Sequence, residues 1–176
     1  TETPRKYGLH ATIKPPFVLA EGATADGLQS AFETSCTQLA PVTLDGLSLT
    51  PLGRFLALTP EGGTAALNAM AAEVVRGLDA FRAPPAEADL ARRRQANLTP
   101  AQEANLSQWG YPYVMEAFRF HVTLTGKLPK SDLPQVTAAL APYIAPHLPQ
   151  PFTLGSLTLV GQAEDGMFHE VHRAAL

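Results

Sequence analysis

Tyr7-Gly8-Leu9-His10-Ala11-Thr12-Ile13-Lys14 returns near the other end of the chain as Phe118-Arg119-Phe120-His121-Val122-Thr123-Leu124-Thr125. In the first copy Leu9, Ala11 and Ile13 alternate with Gly8, His10, Thr12 and Lys14. In the second, Phe120, Val122 and Leu124 alternate with Arg119, His121, Thr123 and Thr125. A period of two is that of a β-strand, so both stretches are predicted as strands with the His and the Thr sharing one face and an apolar face behind. Two copies imply one two-part site.

Five histidines in a chain with about one Ser or Thr in eight give roughly 0.6 chance matches to His-x-Ser/Thr, so the matches alone decide nothing. Their surroundings do. After each motif come a helical pattern and then a similar strand, Leu44-Asp45-Gly46-Leu47-Ser48-Leu49-Thr50 in the first half and Leu154-Gly155-Ser156-Leu157-Thr158-Leu159-Val160 in the second. A further strand follows in each half, near Arg54 to Leu58 and Met167 to His172. The histidines lie 111 positions apart (10 and 121), and Leu47 and Leu157 lie 110 apart. This is an internal duplication, and it puts the two motifs in equivalent places.

At 176 residues the chain is one domain by length, or two small lobes sharing a core. Lobe 1 is expected over about residues 1–82, a connecting helical segment over 83–113 and lobe 2 over 114–176. No apolar run approaches the roughly 20 residues of a membrane span. The single Cys36 leaves no internal disulfide, which agrees with a reducing, cytoplasmic setting. A net charge of −3 argues against a broad nucleic-acid footprint, and no DNA or membrane partner is expected. Arg5, Lys6 and Lys14 cluster around the first motif, and Arg119 and Lys127 flank the second. That local charge suits a small anionic substrate; a solvated strand end is the alternative.

Thr1 to Lys6 is expected to lead into the first motif strand, which Pro15-Pro16 ends. Thr24 is a candidate N-cap for a helix burying Leu28, Phe32, Cys36 and Leu39, which makes Cys36 a core residue. Strands near 43–50 and 54–58 form a hairpin across Pro51-Leu52-Gly53. Thr64 opens a second helix with Leu67, Met70, Val74, Val75 and Leu78 on its core stripe. Arg92-Arg93-Arg94 reads as a solvated helix face rather than a phosphate guide. Thr99-Pro100-Ala101-Gln102 reads as a capping box with proline at the first helical position. Tyr111-Pro112-Tyr113 is an aromatic turn that covers a base or ribose, or fills the core edge. Ser131 or Asp132 is expected to cap a helix that Pro142 kinks or shortens, and a hairpin around Ala163 to Gly166 closes the chain.

Two imidazoles and two hydroxyls converging from equivalent strands suit metal-independent chemistry at a phosphodiester. A neutral His takes a proton from the attacking oxygen and a protonated one gives a proton to the leaving oxygen. Thr12 and Thr123 can donate hydrogen bonds to non-bridging oxygens, and Lys14 and Arg119 can balance charge on phosphorus. His10 and His121 are thus the candidate catalytic pair. A purely structural imidazole, bonded to its own Thr, is one alternative, and matching register weighs against it. A zinc site is another, but no Cys partner, no His at helical spacing and no acidic third ligand accompany the pair. No cofactor or metal is expected.

The strings Tyr7 to Phe17, Trp109-Gly110-Tyr111-Pro112-Tyr113 and Phe118 to Gly126 resemble the two-histidine phosphoesterase superfamily, in the branch encoded near bacterial phosphonate-utilisation genes. The likeness covers essentially the whole chain. It implies an α+β fold, a bilobal pseudo-symmetric duplication with two antiparallel sheets facing a central cleft and helices outside. It also implies an additional N-terminal segment in the natural protein. His10 and His121 inherit the catalytic role, and Thr12, Thr123 and, more weakly, Tyr7, Lys14 and Arg119 the binding of substrate phosphate. The expected activity is a phosphoric diester hydrolase opening a small ribose-type cyclic phosphate in phosphonate metabolism. Processing of RNA 2′,3′-cyclic phosphate ends, or noncatalytic binding of phosphate or RNA ends, is the alternative, with RNA the less favoured partner.

Overall fold

The computed structural model describes residues 2–176. In chain order its elements are α1 (Glu2–Arg5), α2 (Ala25–Thr37), β1 (Val42–Leu44), β2 (Gly46–Leu52), β3 (Phe55–Glu61), α3 (Ala65–Gly77), α4 (Glu87–Arg94) and α5 (Pro100–Trp109). They continue with β4 (Val122–Thr123), α6 (Leu133–Ile144), β5 (Phe152–Leu154), β6 (Ser156–Gln162) and β7 (Phe168–Ala175). Every strand pairing is antiparallel, so this is a mixed α and β chain with antiparallel sheets. No helix among the described residues is long and apolar enough to cross a membrane.

The chain divides into two compact units that do not follow sequence order. One gathers the residues up to Thr12 with Ala40–Thr64 and Phe120–Leu176; the other holds Ile13–Leu39 and Ala65–Arg119. The first unit therefore contains both His-x-Thr motifs and all seven strands found among the described residues.

Within the first unit, β2 and β3 form the expected hairpin, paired from Gly46 opposite Glu61 to Leu52 opposite Phe55. β4 adds to the other edge of β3, with Ala57 opposite Thr123 and Leu58 opposite Val122. Leu56, Ala57 and Leu58 are all buried, as a central strand covered on both faces requires. β6 and β7 form the second hairpin, with a bulge between Leu159 and Val160. β1 pairs with β5, Thr43 facing Thr153. The strand expected from Phe152 to Val160 is in fact two, because the chain leaves β5 at Gly155 and pairs with a different partner in β6. The first-half strand is broken at the corresponding place, at Asp45.

The motif strands are much shorter than alternation predicts. Around His10 the only ladder position is an isolated bridge from Ala11 to Val122, and around His121 only Val122 and Thr123 are strand. The residues expected to lead into the first motif strand include a short helix, Glu2–Arg5. Gly8 then turns the backbone with φ at +69°, a left-handed conformation that glycine adopts freely and that breaks an extended run. Leu9, assigned by alternation to the apolar face, is consequently 77% exposed.

Within the second unit, the local signals hold. Thr24 caps α2, its hydroxyl accepting from the Gly27 N–H at 3.1 Å, and Leu28, Phe32 and Cys36 are buried. α3 buries Leu67, Met70, Val74 and Val75. The Thr99 capping box is complete, with Gln102 N–H donating to Thr99 Oγ1 and Thr99 N–H to Gln102 Oε1. α5 ends on Gly110 at φ +72°, the left-handed cap that favours glycine. In the first unit one cap differs: Asp132 is itself in helical conformation and caps nothing, while Ser131 donates its hydroxyl to the Asp132 carboxylate. Pro142 lies within α6, which runs two residues further and then tightens into a 3-10 turn over Ala145–His147.

Candidate functional site

The Ala11–Val122 bridge sets the geometry of the paired motifs. In an antiparallel pair, residues on either side of a bridged position face each other in reverse order. His10 therefore lies across from Thr123, and Thr12 across from His121. Val122 is bridged to Ala11 on one side and pairs with Leu58 on the other, and the His10 and Thr12 side chains lie together, 3.2 Å apart. The two His-x-Thr segments, 111 positions apart in sequence, are thus bridged within the first unit.

His10 is held on several sides. Its Nδ1 is 3.1 Å from the Gly8 carbonyl oxygen, which only accepts, so Nδ1 carries the proton. The other nitrogen, Nε2, is 3.2 Å from Thr12 Oγ1 and in the neutral ring accepts from that hydroxyl. The structural alternative, an imidazole bonded to its own threonine, is therefore realised at His10. Tyr7 stacks on the ring with centroids 5.0 Å apart and planes at 21°, and Phe168 stacks behind Tyr7 at 4.4 Å. His121 is half-buried with Phe55 tilted against it at 5.9 Å. Thr123 is half-buried and Thr12 exposed.

Sequence reasoning put Tyr7 on phosphate; in the structure its ring is committed to His10. It gave no role to Phe55 and Phe168. The only signal for them was position, since each opens the second strand of a hairpin.

Lys14 is committed elsewhere. It lies in a bend of the second unit, its side chain 8% exposed, and its ammonium donates to Asp79 Oδ1 and to the Val75 carbonyl, each at 3.1 Å. Burial weighs more on this ammonium than the ion pair returns, so its pKa is held below the ordinary value. Burial also pulls the Asp79 carboxyl up, but hydrogen bonds and charge from Arg82 and Lys14 together outweigh it and the pKa falls below the ordinary value. Arg82 braces the same group, donating to both Asp79 oxygens and to the Gln108 carbonyl. Lys14 is thus part of a structural ion cluster, and no short-range pattern shows a partner 65 residues away. Arg119 is exposed.

The arginine triplet stays on the surface of α4, as expected. Arg92 pairs with Asp89, Arg94 with Glu103, and Arg93 lies 4.5 Å over the Tyr111 ring, which meets Tyr113 edge-on. Cys36 is buried, and burial pushes its thiol up, the opposite of an activated nucleophile. Among the described residues no three His, Cys, Asp or Glu side chains gather as metal ligands would.

Fold and site define a mixed α and β protein in which paired His-x-Thr segments meet at one antiparallel sheet. Comparison with known proteins supplies the family: the chain belongs to the family described as "Protein of unknown function (DUF1045)", whose model matches residues 12–169. It is also 36% identical, over 170 residues, to a protein of Janthinobacterium sp. (strain Marseille) named ribose 1,5-bisphosphate phosphokinase PhnN. A protein of the same name from Laribacter hongkongensis (strain HLHK9) is 37% identical over 150 residues. These matches cover 94% and 83% of this chain but 38% and 34% of those proteins. The chain spans little more than a third of the length of the curated relatives it matches.

The expected activity is corrected by this finding. Both relatives are named as phosphokinases, which transfer a phosphoryl group, not as phosphodiesterases. Hydrolysis of a cyclic phosphodiester is thereby overturned as the reading of this chain, and the RNA-end alternatives fall with it, since a phosphorylated ribose is the substrate those names print.

Proposed function

We propose that this chain binds a small phosphorylated ribose, as one part of a longer phosphoryl-transfer enzyme of the kind its relatives are named for. His10, Thr12, His121 and Thr123 hold the phosphate on one sheet face, with the two imidazoles as the groups that give and take its protons. The setting is phosphonate metabolism. The Ala11–Val122 bridge carries the reading, because it joins the two distant segments on which the four phosphate-compatible side chains stand. With the His10 ring protonated, its Nε2–H and the Thr12 hydroxyl can both donate to a phosphate oxygen entering between them, exchanging one exposed hydrogen bond for two charge-assisted ones.

The 176 residues contain no Gly-x-x-x-x-Gly-Lys-Ser/Thr run, so the loop that cradles nucleotide phosphates in P-loop enzymes is not part of this site. The reading therefore gives this chain the sugar phosphate rather than the nucleotide. Pairing of the repeat-related residues Ala11 with Val122 and Thr43 with Thr153 supports kinship with the two-histidine superfamily and its bilobal pseudo-symmetry. That kinship is one of fold and carries no diesterase activity with it.

Calorimetric titration of ribose 5-phosphate, ribose 1,5-bisphosphate and ribose tests the proposal. Both phosphosugars bind and ribose does not; equal binding of ribose, or no binding of either phosphosugar, would overturn it. In the Janthinobacterium relative, alanine at the position aligned with His121 lowers phosphoryl transfer to ribose 1,5-bisphosphate. Full activity there would detach the site from the phosphokinase reaction.

A further inference from the structure

We propose that Phe168 and Phe55, the first residues of β7 and β3, are matched positioning residues for the two motif histidines. Phe168 acts on His10 through Tyr7, and Phe55 acts on His121 directly. The contacts are a stack of Phe168 on Tyr7 at 4.4 Å and 20°, continued by Tyr7 on His10 at 5.0 Å and 21°, and a tilted contact of Phe55 with His121 at 5.9 Å.

The need for such a brace follows from the backbone. A histidine in a regular strand is aimed by its ladder, but His10 sits beside a left-handed Gly8 and has a single bridge position next to it. Its Nδ1–H bond to Gly8 fixes the tautomer and one edge of the ring, and leaves the faces to be held by something else. The Tyr7 ring closes one face, and Phe168 backs Tyr7. Phe168 also donates its N–H to the Lys6 carbonyl at 2.8 Å, which ties the start of β7 to the turn that carries Tyr7.

The two phenylalanines occupy corresponding places in the duplication. Each opens the second strand of a hairpin, just after a turn with a left-handed glycine, Gly53 before Phe55 and Gly166 before Phe168. Neither is fully buried, so filling the core does not account for them. Each meets a motif histidine from the other half of the sequence: Phe55 meets His121, and Phe168 reaches His10. Twice the same placement, with the same residue type, marks a function of the position.

The consequence for affinity rests on the phosphosugar reading above; the aim of the rings does not. The test is proton NMR of the two histidine Cε1–H signals in the ligand-free protein, with Phe168→Leu, Phe55→Leu and Tyr7→Leu. Leucine keeps apolar contact and removes the ring current. Phe168→Leu moves the His10 signal toward its free-histidine position and speeds exchange of the Nδ1 proton, leaving His121 in place. Phe55→Leu does the reverse, and Phe168→Tyr restores the His10 signal. Tyr7 is exposed, so Tyr7→Leu keeps the fold and reproduces the His10 change even if Phe168→Leu does not fold. Unmoved signals in folded variants, or both histidines moving together in each, would overturn the assignment. A parallel titration with ribose 5-phosphate separates the two ideas. Phe168→Leu binds it several-fold more weakly, whereas a wild-type chain that binds none of it removes the phosphosugar reading and leaves the NMR outcome to judge the rings.

Discussion

Thr43 and Thr153 face each other across the β1–β5 pair, their hydroxyls 3.1 Å apart, and they are also separated by the 110 positions that align the two halves of the sequence. Ala11 and Val122, 111 apart, meet in the same way. Both pairings are antiparallel, and each joins segments far apart in the sequence.

Because that hydroxyl contact is exposed, its energetic weight is modest. Thr43→Val and Thr153→Val each cost about 0.5 kcal/mol, with a coupling energy of similar size in the double mutant. Urea unfolding of the four proteins measures it. Strict additivity would mean that the hydroxyls do not act on one another.

Asp79→Asn breaks the cluster that holds Lys14 and Arg82. A buried ammonium and a guanidinium then share a neutral amide, and the expected loss is about 2–3 kcal/mol. That is below the roughly 3–5 of a fully buried pair, because the carboxylate keeps 21% exposure. A midpoint change under about 0.5 kcal/mol in chemical denaturation would show that the cluster adds nothing to the fold.

The same cluster gives stability a pH dependence with a definite sign. Asp79 is depressed in the folded state, so its contribution is present above the ordinary carboxylate value of 3.8 and is lost as pH falls through the lower folded value. Lys14 is also depressed. Between its folded value and the ordinary 10.5 the unfolded chain binds more protons, so stability rises with pH in that window. Denaturation midpoints of wild type and Asp79→Asn should converge at acid pH. A difference that persists unchanged below that range would refute the assignment.

Gly110→Ala tests the left-handed cap of α5. The φ of +72° strains any L side chain, and the new Cβ would lie 2.9 Å from Arg82 Nη1, so the guanidinium that braces Asp79 must also shift. The expected cost is about 1–2 kcal/mol. Thermal melts read it, and an unchanged melting temperature would contradict the geometry.

At the site, His10→Ala and His121→Ala are expected to weaken ribose 5-phosphate binding by about 10- to 100-fold, the weight of one hydrogen bond to a charged group. Thr12→Val and Thr123→Val each lose a donor to the same charged phosphate and should cost about 10-fold or more. Calorimetry with folded variants decides; binding unaffected by either histidine would place the phosphate elsewhere.

Short-range pattern was enough for α2, α3, α5 and both hairpins. Caps at Thr24 and Thr99, apolar spacing along α3 and the glycine turns act over a few residues, and those forces are written in the local sequence. The repeated His-x-Thr pattern was equally visible in the sequence, and it singled out His10, Thr12, His121 and Thr123. Tertiary structure alone decided the rest. Gly8 and the helical Glu2–Arg5 override the alternation around His10, so the motif is a bridge and a turn instead of a strand. Lys14 spends its charge on Asp79, 65 residues away, and Phe168 reaches His10 through a ring stack from the last strand. Such contacts depend on where separate elements pack, and burial and long-range ion pairing select them from many partners of equal local promise. A reaction was likewise beyond the reach of the motif, since paired imidazoles and hydroxyls suit many reactions at phosphorus.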